Sequence, residues 1–196
     1  SSGKQGYEIA LELNKLGIKT TLIAGPSNLV FPKSLKVKKI TSADEMLNEV
    51  KKLLPVDLAV CAAAVTDFKP TEKSVKKIKK ENMKFKKINV VQNNDILEYI
   101  SKNNKYRPRL VAGFSAETEN LTRNSINKMK RKHCDIIFAN NVSQKDIGFN
   151  SDYNKISVID KKGNVKIIPK NKKSFIANKI AEILLDKLLI NDKNIN

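Results

Sequence analysis

Three alanines running into one carboxylate, Ala62-Ala63-Ala64-Val65-Thr66-Asp67, make a segment whose residue types suit a ligand. Small side chains at the end of an apolar run let a ligand lie against the backbone. Asp67 then offers a carboxylate at the exposed tip, suited to ribose hydroxyls or to a magnesium-bound triphosphate. An acidic residue just past a strand is also a common turn former. A second segment, Ser1-Ser2-Gly3-Lys4-Gln5-Gly6, supplies hydroxyls and free amides where a helix begins, and such N-termini favour a phosphate. It is neither GxGxxG nor the full GxxxxGK[ST] phosphate loop, so an ordinary capped helix stays open beside the phosphate reading.

Positive charge is the third ingredient. Lys76-Lys77-Ile78-Lys79-Lys80 is by default a solvated run. Beside a triphosphate it becomes a mobile cationic clamp, because transfer at phosphorus gains from positioned positive charge. Lys128 and Lys132 stand four apart in the helix expected over 119–132. Their ammonium groups would leave one face and grip phosphates together. The single histidine, His133, rules out a multi-histidine metal site and reads as a helix-end residue. Cys61 and Cys134 lie in apolar stretches without CxxC spacing and read as reduced core residues.

These residues need elements to position them. Ile9, Leu13 and Leu16 repeat at helical spacing and stop at Gly17, which predicts a helix over 4–16. Strands are expected at 18–24 and 35–40, then a helix starting at 42–44. The nearly unbroken apolar run 56–65 has the pattern of a central parallel strand buried on both faces. Further strands are expected at 110–114 and 136–139, with helices at 94–103 and 119–132. Residues 69–92 break the alternation and read as a lysine-rich flap or arm. A hairpin over 155–168 and a final helix from Ile176 to Leu188 close the chain.

The alternation predicts one α/β domain over 1–196, Rossmann-like and doubly wound, with a mostly parallel sheet and ligands bound beyond the carboxyl ends of its strands. Such a sheet ordinarily opens with a strand feeding the first glycine-rich turn, so the domain is expected to lack its first strand here. The longest apolar run is far shorter than the roughly 20 residues of a membrane-spanning helix. A soluble, cytoplasmic protein without a membrane partner is expected. The net charge of +18 invites a nucleic-acid reading. Against it, the basic residues are lysines apart from Arg107, Arg109, Arg123 and Arg131, whereas bidentate recognition favours arginine. No nucleic acid is expected as a partner, and small phosphorylated substrates satisfy the anion preference.

AAAVTDF, KIKK ten residues after Asp67, NNDIL, VAGFSAET, the Lys128/Lys132 pair, FANNVS and GFNSD follow one another in an order and spacing that resembles the bacterial phosphopantothenoylcysteine synthetases, over essentially the whole chain. The resemblance implies a ligase that joins 4'-phosphopantothenate to L-cysteine with CTP and Mg²⁺, through an acyl-cytidylate. It implies CTP binding by the Ala63–Ala64 backbone, Asp67, Lys77, the segment Asn94, Asp95, Ile96 and Leu97, Phe114, Lys128 and Lys132, with Lys77 also catalytic. Ser1, Gly3, Gly6 and Asn140 match positions near the nucleotide phosphates. Asn94 departs from the family, many of whose bacterial members have proline there. Metal ligands are not assigned. The bacterial form usually follows a flavin-dependent decarboxylase in one bifunctional protein, so FMN enters only with such a domain upstream, and relatives are dimeric. A family asparagine just before the Ser-Ser-Gly-Lys turn is not in this chain. The rival readings from residue pattern alone are a dinucleotide-binding oxidoreductase, weakened by the missing GxGxxG, and a basic nucleic-acid module.

Overall fold

The computed structural model describes residues 2–72, 88–143 and 151–193. Helix α1 spans Lys4–Lys15 and buries Ile9, Ala10 and Leu13, the face its periodicity marked. It stops where Gly17 adopts a φ of 79°, with the amides of Gly17 and Ile18 returning to the carbonyls of Asn14 and Leu13. Helix α2, Ala43–Leu53, starts at Ser42, whose hydroxyl accepts from the Glu45 amide at 3.2 Å. The Glu45 carboxylate answers by accepting from the Thr41 amide and hydroxyl. Such reciprocal capping satisfies amides the helix cannot pair internally. Helix α3, Ile96–Ser101, is capped by Asp95, and α4, Leu121–Lys132, ends at His133 in a left-handed conformation (φ 58°). Helix α5 covers Lys173–Lys193.

Among the described residues the strands fall into three groups. The main sheet has the order β3-β6-β7-β8-β9. Strands β3 (Leu58–Cys61), β6 (Leu110–Glu117) and β7 (Ile136–Asn141) run parallel. The hairpin β8 (Tyr153–Asp160) and β9 (Val165–Lys172) adds two antiparallel strands. Strands β1 (Thr21–Ala24) and β2 (Lys36–Lys39) form a parallel pair of their own. The short β4 (Phe68–Pro70) and β5 (Val90–Gln92) pair antiparallel and form the two ends of the expected arm. The lysine run 76–80 at its centre lies outside the described residues.

Side chains alternate along β6 and β7 with the two-residue period of a strand, feeding two apolar layers. Leu110, Ala112, Ile136 and Phe138 meet α1 and α5 through Ile9, Leu13, Ile176, Ile180 and Leu184. Val111, Ile137 and Ala139 meet Leu47 of α2, Ile96, Leu97 and Ile100 of α3 and Met129 of α4. Helices cover both faces, which is the doubly wound arrangement.

Among the described residues β1–β2 stands apart from the five strands of the main sheet. One expectation needs correction: the run 56–65 is not a strand buried on both sides. Pairing covers only Leu58–Cys61, and all four residues are half-buried because β3 ends the row. Cys61 is therefore half-buried as well, while Cys134 lies in the core and both thiols are free.

At the amino ends of β6 and β7, Asp135 ties several elements together. Its carboxylate accepts from the Val111 amide at 2.7 Å and from Arg107 Nη2 at 3.0 Å. Arg107 in turn donates to the carbonyls of Ser101, Pro108 and His133. Removing the carboxylate leaves the Val111 amide without this acceptor, a loss of about 1–3 kcal/mol for a buried group, and takes one of several acceptors from Arg107. Asp135→Ala should therefore lower stability to urea by about 2 kcal/mol, and Asp135→Asn, which keeps an acceptor oxygen, by less. Equal midpoints for wild type and Asp135→Ala would show the tie to be dispensable.

Candidate functional site

The chain leaves β3 at Cys61 and passes through Ala62, Ala63 and Ala64 beside the start of α1. A Cβ placed on Gly6 would stand 3.3 Å from the Ala62 Cβ, so the helix and the strand end approach as closely as their small residues permit. Past the turn, Asn93 returns beside it. Its amide donates to the Asp67 carbonyl at 2.7 Å and its side-chain Nδ2 to the Thr66 carbonyl at 3.1 Å. The next residues lead directly into the capping Asp95 of α3.

Phe114, on β6, stands beside this turn with its ring 5.4 Å from that of Phe138. Lys128 Nζ donates to the Phe114 carbonyl at 2.8 Å. Lys132, one turn further along α4, pairs with Asp95 at 2.7 Å and Glu98 at 2.8 Å. The spacing of four does put both lysines at the cleft. Their ammonium groups, however, are already engaged with protein oxygens rather than presented bare to a ligand. Burial pulls the Lys132 pKa down, yet the hydrogen bonds its ammonium donates to Asp95 and Glu98 outweigh it and hold the group above the usual lysine value. Lys132 is charged throughout the physiological range.

Gly3 and Gly6 from the first turn, Ala63, Ala64 and Asp67 from the second, and Asn94 to Leu97 from the third all border one cavity, together with Phe114, Lys128 and Lys132. Ile96 and Leu97 turn their side chains into the core, leaving backbone toward the opening. Asn140 is 8% exposed, opposite Ala116 in the β6–β7 ladder, and is not among the cavity-lining residues. Ser1 and Lys77 lie outside the described residues. Three polar residues that sequence reasoning left without a role also line the opening: Asn93, Glu117 and Asn124. The Glu117 carboxylate accepts from the Ser115 hydroxyl at 2.5 Å and from Asn124 Nδ2 at 3.1 Å. Asn93 and Glu117 lie inside the quoted NNDIL and VAGFSAET segments without a role given to them, whereas nothing in the sequence marked Asn124.

The chemistry available is that of binding and positioning. Burial pushes the Cys61 thiol up to about 12 and Cys134 up to about 11, so neither supplies a thiolate near neutrality. Among the described residues no three His, Cys, Asp or Glu side chains gather into a metal-holding group. Mg²⁺ commonly takes one or two carboxylates and completes its shell with substrate phosphates and water. Asp67 places a carboxylate of that kind at the opening, as do Asp95 and Glu117. No helix among the described residues is long and apolar enough to cross a membrane.

Comparison with known proteins adds to this geometry. Residues 1–188 match the family described as the DNA/pantothenate metabolism flavoprotein C-terminal domain. The chain belongs to this family. A relative from Borreliella burgdorferi, the coenzyme A biosynthesis bifunctional protein CoaBC, is 38% identical over 186 residues, covering 94% of this chain and 46% of the relative. The CoaBC of Haemophilus influenzae is 36% identical over 94% of this chain and 46% of its own length. The chain thus spans about half the length of these curated relatives. Among solved structures, the C-terminal domain of a CoaBC superposes with a TM-score of 0.77 at 28% identity, over 98% of this chain and 85% of that one. The flavoprotein C-terminal domain fold accounts for the doubly wound core and its antiparallel extension.

Acid titration tests the bridge between α3 and α4. Hydrogen bonds from Lys102 and then Lys132 lower the Glu98 pKa from 4.5 to about 2. A carboxylate depressed in the folded state contributes stability that is complete above its unfolded pKa and disappears as pH falls through the folded one. That contribution should fade between about pH 4.5 and 2. Because Glu98 is a third exposed, its size should stay under about 1 kcal/mol. Glu98→Gln should show a correspondingly flatter loss of urea stability across that window. Identical pH profiles for the two proteins would remove the bridge from the account.

Proposed function

We propose that this chain catalyses the joining of 4'-phosphopantothenate to L-cysteine in coenzyme A biosynthesis, with CTP as co-substrate. One observation carries this reading. Asp67, the Asn93–Leu97 segment, Phe114 and the Lys128/Lys132 pair come from four separate stretches of chain and meet around a single opening at the carboxyl ends of parallel strands. Membership in the DNA/pantothenate metabolism flavoprotein C-terminal domain family, with its CoaBC relatives, supports this choice of substrates.

In the proposed reaction a carboxylate oxygen of phosphopantothenate attacks the α-phosphorus of CTP. The bond from that phosphorus to the bridging oxygen breaks, and pyrophosphate leaves. The neutral amine of cysteine, having lost its proton, then attacks the activated carbonyl carbon. A C–N bond forms, the acyl–phosphate bond breaks, and CMP departs. No enzyme nucleophile is needed, in keeping with the two high-pKa thiols. Rate then comes from holding the two substrates in line and from placing positive charge around the phosphorus.

The roles follow from what each residue offers. The Ala63–Ala64 backbone and the Phe114 ring would take the base and ribose, an aromatic face being a sequence-tolerant support for a base. Asp67 would hold ribose hydroxyls or share Mg²⁺ with the phosphates. Lys132, fixed by Asp95 and Glu98, keeps the Asn94–Leu97 turn at the opening and adds positive charge there. Lys128 does the same for the Phe114 carbonyl. Gly3 and Gly6 let the start of α1 approach the phosphates, with Ser1 and Asn140 near them. Lys77 would stabilise charge at the α-phosphorus. In the longer bifunctional form a flavin-dependent decarboxylase with FMN would precede this domain, which would assemble as a dimer.

Pyrophosphate release with phosphopantothenate and each nucleotide in turn tests the reading. CTP should support release and ATP should support it poorly. Equal failure with all nucleotides, in a folded protein, would overturn it.

Lys77→Ala should slow pyrophosphate release by roughly a hundredfold or more, the usual scale for losing a positioned charge at a reacting centre, with circular dichroism unchanged. A well-folded variant that releases pyrophosphate at the normal rate would remove Lys77 from the mechanism. Lys128→Ala and Lys132→Ala should each weaken CTP binding in calorimetry, with a loss that shrinks as salt rises. Unaltered binding in both at low salt would leave the pair a purely structural role.

A further inference from the structure

Strand β6 ends in Ser115-Ala116-Glu117, and the two-residue period of a strand puts Ser115 and Glu117 on one face. Ser115 is 1% exposed, and its hydroxyl donates to one oxygen of the Glu117 carboxylate. The chain then turns through Asn120 in a left-handed conformation (φ 48°), which asparagine adopts more readily than most residues. That turn folds α4 back, so that Asn124 Nδ2 donates to the other Glu117 oxygen at 3.1 Å. Two neutral donors thus fix a half-buried carboxylate at the opening of the cleft. A carboxylate has about four acceptor positions, so roughly two stay open for a ligand.

We propose that Glu117 is the seat of the α-ammonium group of the amino-acid substrate. The role rests on the ligase reading of the cleft, to which it adds a place for the second substrate. No bond is made or broken at Glu117; its part is to bind the nitrogen and orient it.

Charge selects Glu117 from its neighbours. An amino acid carries a cation at its nitrogen, whereas Lys128 and Lys132 border the opening and the chain has a net charge of +18. Such a field repels an ammonium group unless a local carboxylate draws it in. Asp67, Asp95 and Glu117 are the acids at the opening. Asp95 is spent, since one oxygen accepts from the Glu98 amide and the other pairs with Lys132. Asp67 stands in the alanine loop, where ribose or Mg²⁺ would claim it. Among the described residues no lysine or arginine pairs with Glu117, so its charge is left for a cation from outside.

Position supports the same choice. The ladder pairs Cys61 with Gly113, which sets Phe114 level with the start of the alanine loop. Glu117 stands three residues further along β6, about 10 Å at the usual rise of a strand. A base resting on Phe114 and the Ala63–Ala64 backbone would thus have Glu117 about the length of a nucleoside away, in the range where an attacking amine must stand. The seat is also rigid. Glu117 lies opposite Asn141 in the β6–β7 ladder, and its carbonyl accepts from the Val142 amide at 2.9 Å. Binding groups on a paired strand hold their geometry better than groups on a loop.

The test compares two amines that attack the same activated carboxyl group. Cysteine arrives as an ammonium ion, whereas hydroxylamine is neutral near neutral pH and yields a hydroxamate. Wild type, Glu117→Gln and Glu117→Asp each receive phosphopantothenate, CTP and one of the two amines. In Glu117→Gln the ratio of kcat/KM for cysteine to that for hydroxylamine should fall roughly 10–100-fold, the scale of one hydrogen bond to a charged group. Glu117→Asp keeps the charge and should recover part of that loss. An unchanged ratio in Glu117→Gln would overturn the assignment, whether both rates hold or both fall together; the second case would make Glu117 a structural or metal-holding residue. A ratio that falls as far in Glu117→Asp as in Glu117→Gln would overturn it too. Pyrophosphate release before any amine is added keeps the two readings apart. A wild type that releases none sinks the ligase reading and the role of Glu117 with it, whereas release beside an unchanged ratio sinks the role alone.

Discussion

A strand in a parallel sheet has hydrogen-bonding groups on two edges and apolar side chains on two faces, and all four must be covered before it is stable. Strand β6 meets that demand. It is paired with β3 and β7, and helices pack on both of its faces. The site follows from the same geometry, because the loops that leave β3 and β6 emerge on one side of the sheet. Asp67, Phe114 and the capped start of α3 reach one opening because the strands that carry them are neighbours.

Within that frame, electrostatics locks the details. Lys132 is 12% exposed and faces two carboxylates from α3. Removing the lysine would leave Asp95 without this cation and Glu98 with Lys102 alone, a larger penalty than the net gain from making the pair. The exposed pairs elsewhere, such as Lys15 with Glu12 or Lys179 with Glu182, add little. Lysine surplus therefore governs how the surface meets anions, and one enclosed lysine governs the shape of the cleft.

Much of the secondary structure was legible because it is written locally. Gly17, Ser42 and Asp95 mark helix ends by conformation or by side-chain caps, and Leu110–Ala112 and Ile136–Ala139 announce buried strands. What sequence could not show were relations between distant segments. Nothing near Lys132 reveals that Asp95 and Glu98 will stand beside it, and the lysine spacing alone suggested a pair offered freely to phosphates. Asn93 stood in the quoted NNDIL segment without a role for a related reason, its contribution being hydrogen bonds to the Thr66 and Asp67 carbonyls far back in the chain.

Gly113 shows how closely core and cleft are joined. A methyl group there would fall 2.8 Å from Leu97 Cδ2 and 3.1 Å from Ile137 Cδ1. Leu97 belongs to the first turn of α3, the helix whose cap borders the cleft, and its side chain packs straight onto the bare backbone of Gly113. Any side chain at position 113 would have to displace the end of Leu97 before that turn could keep its place, so a residue with no side chain acts as a gauge for how closely this wall of the cleft can approach the sheet.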